Sequence, residues 1–117
     1  MPPTSSPIDP FVCRRDGALA DAAWVHLAGE LDVATAPQLE RTLREALSDA
    51  SLVVRDLRGV TFMDLSGVRV IVDASRAARS EQRDLNVLRG PTPVDRIFTL
   101  TGTAGDVNTV ELSGALR

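Results

Sequence analysis

The stretch that decides the fold runs from Ser51 to Ser80 and reads SLVVRDLRGVTFMDLSGVRVIVDASRAARS. Residues 51–57 form a short apolar run, which is typical of a strand buried in a parallel sheet. From Ser66 onward the apolar positions recur at helical spacing through Ser80, which is too long for an ordinary strand. The stretch therefore predicts a strand over 51–57 and a helix over 66–80.

Upstream of this stretch the pattern predicts two strands. A first strand spans about 11–14 and is followed by the turn signal Asp16-Gly17. A second strand, WVHLA at 24–28, ends at Gly29 and has the alternation of a half-buried strand.

A helix is predicted between the second and third strands. Thr35 occupies a capping position, Pro37 falls in the first turn, and Gln38 follows three residues after the cap. The apolar residues from Ala36 to Leu47 then recur at helical spacing.

Downstream, residues 85–88 predict a further strand, and Thr92 begins a helix that ends near Gly102. Residues 107–112 fit either a short strand or part of a last helix. The order ββαβαβα predicts a single α/β domain, with a mixed sheet of four to five strands and helices packed on it. We place this domain at residues 11–117, after a flexible, proline-rich lead-in at 1–10.

The composition excludes several classes of function. A net charge of −3 argues against nucleic-acid binding, which needs clustered basic residues to neutralise phosphates. Cys13 and His26 are each the only residue of their type, so neither a disulfide within the chain nor a four-ligand zinc site is expected. Lysine is absent, which removes the Walker A loop and Schiff-base catalysis. We expect no metal and no cofactor.

The location is predicted from two further absences. No stretch approaches the roughly 18 apolar residues that cross a bilayer. Residues 1–10 lack the basic start and apolar run of a signal peptide. We therefore expect a cytoplasmic protein that does not bind membranes.

Two segments together carry a resemblance to a known family. They are LAGELDVATAP at 27–37 and DLRGVTFMDLSGV at 56–68. Both resemble the signature stretches of the STAS domain, as found in bacterial anti-sigma factor antagonists, in the same order and at the same spacing. The resemblance extends from about Phe11 to Leu100, and it implies a STAS-like fold.

The resemblance also implies a partner-switching cycle. In that family the unmodified antagonist binds an anti-sigma factor, which is itself a serine kinase, and so frees a sigma factor. Phosphorylation of the serine before the helix glycine releases the antagonist, and a serine phosphatase resets it. On this chain the matching position is Ser66. Leu65 replaces a serine that the family often has, and Arg69 lies where the family often has glycine.

Ser66 lies at the start of the predicted helix, where a phosphate would have a strong electrostatic effect. A phosphate at a helix N-terminus faces free N–H groups and the positive end of the dipole, and it adds about −1.5 to −2 charge. If Asp32 and Asp64 lie close by, that charge meets like charge. The alternatives are that Ser66 is merely an N-cap worth ~1 kcal/mol, that Asp64 is a second cap, and that Asp32 satisfies loop amides. We predict that the partner binds at Asp32, Asp64, Leu65, Ser66, Gly67 and Arg69.

Other functions fit the sequence less well. A hydrolase built on Ser66 needs a base, but the only histidine lies on the second strand, and Gly-x-Ser-x-Gly is absent. A response-regulator receiver needs a lysine that this chain lacks. We therefore expect a binding protein and not an enzyme. The remaining alternative is a non-switching STAS domain that acts as a scaffold or as a subunit of a transport or signalling assembly.

Overall fold

The structure, a computed structural model, describes residues 11–19 and 22–110 of the chain. Five strands, three α-helices and one short 3₁₀ helix follow one another along these residues. Their order is β1 (Val12–Leu19), β2 (Ala22–Leu31), α1 (Ala36–Asp49), β3 (Leu52–Met63), α2 (Leu65–Ser80), β4 (Asp84–Leu88), α3 (Thr92–Leu100), the 3₁₀ helix (Ala104–Asp106) and β5 (Asn108–Val110).

The strands form one mixed sheet in the order β1-β2-β3-β4-β5. β1 runs antiparallel to β2, whereas β2 through β5 are parallel to one another. The predicted α/β class and mixed sheet are therefore confirmed. Of the 107–112 segment, 108–110 form a strand, while 111 and 112 lie outside the described residues, as does the predicted lead-in at 1–10.

Three strands continue beyond their predicted ends. β1 continues through the 16–17 pair, β2 continues past Gly29, and β3 continues past Gly59. The predictions of strand ends at these places were wrong. Glycine and aspartate favour turns in an isolated segment, but here hydrogen bonds to the neighbouring strands continue past them. The local irregularity takes the form of register shifts after Asp16 and after Gly29, and of a positive φ of 95° at Gly29.

The long β3 is accommodated by a bulge at Gly59. His26 pairs with Asp56 and Ala28 pairs with Gly59, so β3 has one residue more than β2 in this interval. A Cβ at Gly59 would lie 2.8 Å from the carbonyl oxygen of Leu27, which is too close for any larger residue to fit without a shift. Glycine therefore lets β3 continue beyond residue 57, where the predicted strand ended.

Helices α1 and α2 lie side by side on one face of the sheet. Every second residue of β2 is buried, as expected for a strand with one face covered. The core consists almost entirely of aliphatic side chains, among them Val25, Leu27, Leu31, Leu39, Leu43, Val53, Leu57, Val60, Ile71 and Val87. No helix in the described ranges is long and apolar enough to cross a membrane.

Candidate partner-binding site

The candidate site lies where β2 and β3 end and α2 begins. Because β2 and β3 are parallel, their carboxyl ends meet at the same edge of the sheet, with Leu31 paired with Met63. The N–H of Asp64 donates to the carbonyl of Leu31 at 3.1 Å. Asp32 follows Leu31 directly, so the Asp32 and Asp64 turns are held together, as the sequence-based account of Ser66 required.

Asp64 is the N-cap of α2. Its Oδ1 accepts hydrogen bonds from the N–H of Ser66 at 2.8 Å and from the N–H of Gly67 at 3.4 Å. Its carbonyl accepts the first helical hydrogen bond, from Val68 at 3.1 Å. The alternative in which Ser66 itself caps the helix is therefore wrong, because the carboxylate two residues earlier already occupies that role.

Ser66 consequently lies inside the first turn of α2, as the second helical residue. Its side chain is half-buried, and its hydroxyl makes no hydrogen bond with the described residues. A hydroxyl in this position can be modified without loss of a hydrogen bond that the fold uses.

Asp32 stabilises the loop that leads into α1. Its Oδ1 accepts hydrogen bonds from the N–H groups of Ala34 at 3.0 Å and Thr35 at 3.2 Å. The Thr35 hydroxyl donates to the carbonyl of Glu30 at 2.9 Å and makes no capping bond to α1, although Thr35 is the N-cap residue as predicted. The loop role considered for Asp32 is the one observed, and the residue before it, Leu31, is joined to Asp64 by a backbone hydrogen bond.

Gly67 contributes close packing. It is buried, and a Cβ at this position would lie 2.7 Å from Cγ of Leu31 and 2.9 Å from Cγ of Met63. Glycine therefore allows the first turn of α2 to approach the ends of β2 and β3. Gly67 was predicted to contact a partner, but it is buried and has no side chain. Any contribution of Gly67 to binding therefore comes from the position that it gives to the first turn of α2.

Three large apolar side chains around the same edge are exposed. Val33 is 74%, Phe62 is 49% and Leu65 is 66% exposed. Each lies within two residues of the paired strand ends Leu31 and Met63. We call Val33, Phe62 and Leu65 the apolar patch. Only Leu65 was predicted from the sequence, since exposure of Val33 and Phe62 depends on packing that no local period reveals.

Arg69 is exposed on α2, three residues after Ser66 and four after Leu65. It has no hydrogen bond or ion pair with the residues that the structure describes. Residues three and four apart are neighbours on a helix surface. The Arg69 guanidinium is therefore free to pair with a phosphate on Ser66.

Trp24 and His26 lie away from this site, on the sheet face opposite α1 and α2. Their rings stack at 5.8 Å, and Trp24 Nε1 donates to Oδ2 of the buried Asp56 at 3.3 Å. Burial acts to raise the pKa of Asp56, but hydrogen bonds from the side chain and backbone of Arg58 outweigh it and hold this pKa below its usual range. His26 is thus a structural neighbour of Asp56 and not a base for Ser66. No group of metal-ligating side chains occurs within the described ranges.

Comparison with known proteins identifies what this arrangement resembles. Residues 16–116 match the family described as Mlab, STAS domain. An anti-sigma-B factor antagonist of Staphylococcus aureus is 32% identical over 79 residues, which cover 67% of this chain and 73% of that protein.

Three solved structures share the fold. An anti-sigma factor antagonist from Mycobacterium paratuberculosis has a TM-score of 0.76 at 24% identity, covering 97% of this chain and 96% of its own. The anti-sigma factor antagonist SpoIIAA in its unphosphorylated form has a TM-score of 0.73 at 18% identity, covering 90% and 93%. The phosphorylated form of SpoIIAA from Bacillus has a TM-score of 0.69 at 17% identity, covering 90% of this chain and 96% of its own.

Proposed function

Because the chain belongs to the STAS domain family, we propose that it is an anti-sigma factor antagonist that works by partner switching. The unphosphorylated chain binds an anti-sigma factor with serine kinase activity and so frees a sigma factor. Phosphorylation of Ser66 by that kinase releases the chain, and a serine phosphatase restores it. The chain acts in the cytoplasm as a binding protein and not as an enzyme.

The observation that carries this proposal is the separation of roles in the first turn of α2. Asp64 caps the helix, while the Ser66 hydroxyl has no partner among the described residues. A phosphate on Ser66 therefore changes the charge of the surface without removing the cap that holds the helix. The phosphorylated and unphosphorylated forms of SpoIIAA share this fold, which supports a modification that the fold tolerates.

Release follows from the surroundings of Ser66. A partner that covers the apolar patch also removes water from the Ser66 turn. A phosphate adds about −1.5 to −2 charge there, beside the carboxylate of Asp64, which accepts from the N–H of Ser66. Removing this charge from water is costly, and a surface pair with Arg69 offsets only a small part of the cost. The complex therefore loses free energy, while the isolated chain, with its phosphate in water, loses little.

The test compares Ser66→Asp with Ser66→Ala by calorimetric titration against the cognate anti-sigma kinase, beside urea unfolding of each variant. We expect Ser66→Asp to weaken binding at least tenfold while stability changes by less than ~1 kcal/mol, because aspartate is favoured near a helix N-terminus. Ser66→Ala should bind like the wild type and resist release by ATP. Ser80→Asp, which puts the same charge on the exposed last residue of α2, far from Ser66, is the control and should bind normally.

Two results would contradict the proposal. If Ser66→Asp binds like the wild type while Ser66→Ala fails to bind, Ser66 is a contact residue and repulsion by charge is not the mechanism. If the wild type binds equally well before and after phosphorylation, the chain is a non-switching STAS scaffold or a subunit of a transport or signalling assembly.

A further inference from the structure

Arg55 is the largest of the side chains that have essentially no exposed surface. It lies in the middle of β3, between Val53 and Leu57, which point toward the same face of the sheet and are equally buried. This is the face covered by α2. The guanidinium of Arg55 therefore lies between two aliphatic side chains in the core.

The guanidinium of Arg55 joins β3 to the middle of α2. Its NH1 donates to the carbonyl of Ile71 at 2.7 Å, and its NH2 donates to the hydroxyl of Ser75 at 2.7 Å. The Ser75 hydroxyl in turn donates to the same Ile71 carbonyl at 3.0 Å. The three groups form a closed triangle of hydrogen bonds, which we call the Arg55 clamp.

The clamp contains no negative charge. None of the ion pairs among the described residues includes Arg55, and its Nε has no hydrogen-bond partner there. The neighbouring carboxylate, Asp56, points to the opposite face, where it pairs with Arg58 at 2.8 Å. Burial lowers the pKa of Arg55 to about 9. Burying a charge without an opposite charge beside it is costly, so stability alone does not account for an arginine here.

The clamp fixes the helix that carries the proposed switch. Ile71 and Ser75 lie about 7.5 Å and 13.5 Å along α2 from Ser66, at 1.5 Å per residue. The other core contacts of α2 are apolar and have little directional preference. The Arg55 hydrogen bonds are directional, and they resist rotation or sliding of α2 against β3.

We propose that Arg55 is a positioning residue for the Ser66 turn: by holding Ile71 and Ser75, it sets the orientation of α2 relative to β3 and hence of Leu65 and Ser66 relative to Phe62. β3 carries Phe62 at its end, and α2 carries Leu65 and Ser66 at its start. A partner that contacts both elements requires them in one fixed relation. This inference rests on the proposed function for its biological meaning.

The test variant is Arg55→Met, which retains an unbranched apolar chain and removes the clamp. Its urea midpoint should be equal to or higher than that of the wild type, since an unpaired buried charge has gone. Amide hydrogen exchange at Ser66, Gly67 and Val68 should nevertheless accelerate at least fivefold. Phosphorylation of Ser66 by the cognate kinase should lose at least fivefold in kcat/KM, and Arg55→Lys, which retains a donor and the charge, should recover part of this loss.

A matched control separates positioning from a merely structural role. Val53→Ala creates a cavity beside the clamp, on the same face of β3, without removing any of its hydrogen bonds. The two variants are compared in urea concentrations at which they have the same free energy of unfolding. If Arg55→Met is less stable than the wild type, and if its amide exchange and its phosphorylation rate equal those of Val53→Ala in this comparison, the proposal is overturned. Wild-type exchange and phosphorylation in Arg55→Met would also overturn it. A wild-type chain that no anti-sigma kinase phosphorylates would instead contradict the proposed function, while the exchange comparison would still decide the role of Arg55.

Discussion

The first turn of α2 and its middle differ in every property that matters for a switch. In the first turn, Leu65 is 66% exposed and the Ser66 hydroxyl has no partner among the described residues. In the middle, Ile71 is fully buried, and Ser75 is locked into the Arg55 clamp. The first turn of α2 can therefore change its charge while the middle of the helix holds it in place.

The fold and the proposed switch therefore depend on different atoms. Even within the first turn, the cap belongs to Asp64 and the modifiable hydroxyl to Ser66. Because a phosphorylated antagonist must survive to be reset, such a division is what a reversible switch requires. Each of the following substitutions tests one side of this division.

The largest effect on stability is expected from Gly67→Ala. The added Cβ would lie 2.7 Å from Cγ of the fully buried Leu31, so we expect a loss of about 1–3 kcal/mol from overpacking. This exceeds the up to ~1 kcal/mol that alanine gains over glycine in a helix. Urea unfolding measures the loss.

Gly105→Ala is the control for this substitution, because a Cβ there meets nothing within 4 Å. Its stability should change by less than about 0.5 kcal/mol. If both variants unfold alike, the first turn of α2 is not held by close packing against the strand ends.

The next largest effect is expected on binding, from Leu65→Ala. We expect Leu65 to be one of the few interface residues whose truncation costs more than about 1 kcal/mol, or roughly fivefold in Kd, because it is the exposed apolar side chain next to Ser66. An exposed site contributes little to stability. Calorimetry against the anti-sigma kinase should show this loss with an unchanged urea midpoint. The control is Leu100→Ala, at a residue that is 73% exposed at the end of α3, and it should alter neither the affinity nor the urea midpoint. If the two variants lose the same affinity, the apolar patch is not part of the interface.

Asp64→Ala tests the cap independently of the switch. The variant leaves the N–H groups of Ser66 and Gly67 without their acceptor, so stability should fall by about 0.5–2 kcal/mol. Asp64→Asn retains a capping oxygen and should recover most of this stability. Circular dichroism during urea unfolding provides the measurement, and an unchanged midpoint in Asp64→Ala would mean that another group caps α2.

The smallest effect concerns Arg69 in the phosphorylated chain. A pair at i and i+3 on a helix contributes about 0.2–0.5 kcal/mol, which corresponds to roughly 0.2–0.4 of a pKa unit. Phosphorus NMR should therefore show the second pKa of the Ser66 phosphate, ordinarily about 6, raised by this amount in Arg69→Ala. Arg79→Ala, near the other end of α2, should leave it unchanged, and no difference between the two would show that Arg69 does not contact the phosphate.

The sequence predicted the order of elements because each long element has a clear period. It failed at the strand ends, because the second strand was predicted to end at Gly29 and the third at Leu57, before Gly59. At Gly59 the bulge and the close approach to Leu27 are tertiary facts, and no local pattern distinguishes such a glycine from one in a turn.

The site was predicted less completely than the fold. Residues near Ser66 follow from the family resemblance, and their assigned contacts with a partner stay predictions. Val33 and Phe62 were missed because exposure is decided by the assembled sheet edge. Arg55 was missed because it lies inside an apolar run that predicts a buried strand, and its acceptors, Ile71 and Ser75, lie more than fifteen residues further along the chain.

The most direct test of the central claim is to phosphorylate the chain with its cognate anti-sigma kinase and to locate the phosphate by fragment mass spectrometry. The purified product is then titrated against the kinase in a calorimeter. We expect a single phosphate on Ser66, none on Ser66→Ala, and at least a tenfold weaker complex with an unchanged urea midpoint. A phosphate at Thr61, Ser75 or Ser80 with Ser66 unmodified, or a phosphorylated chain that binds as tightly as before, would contradict the account.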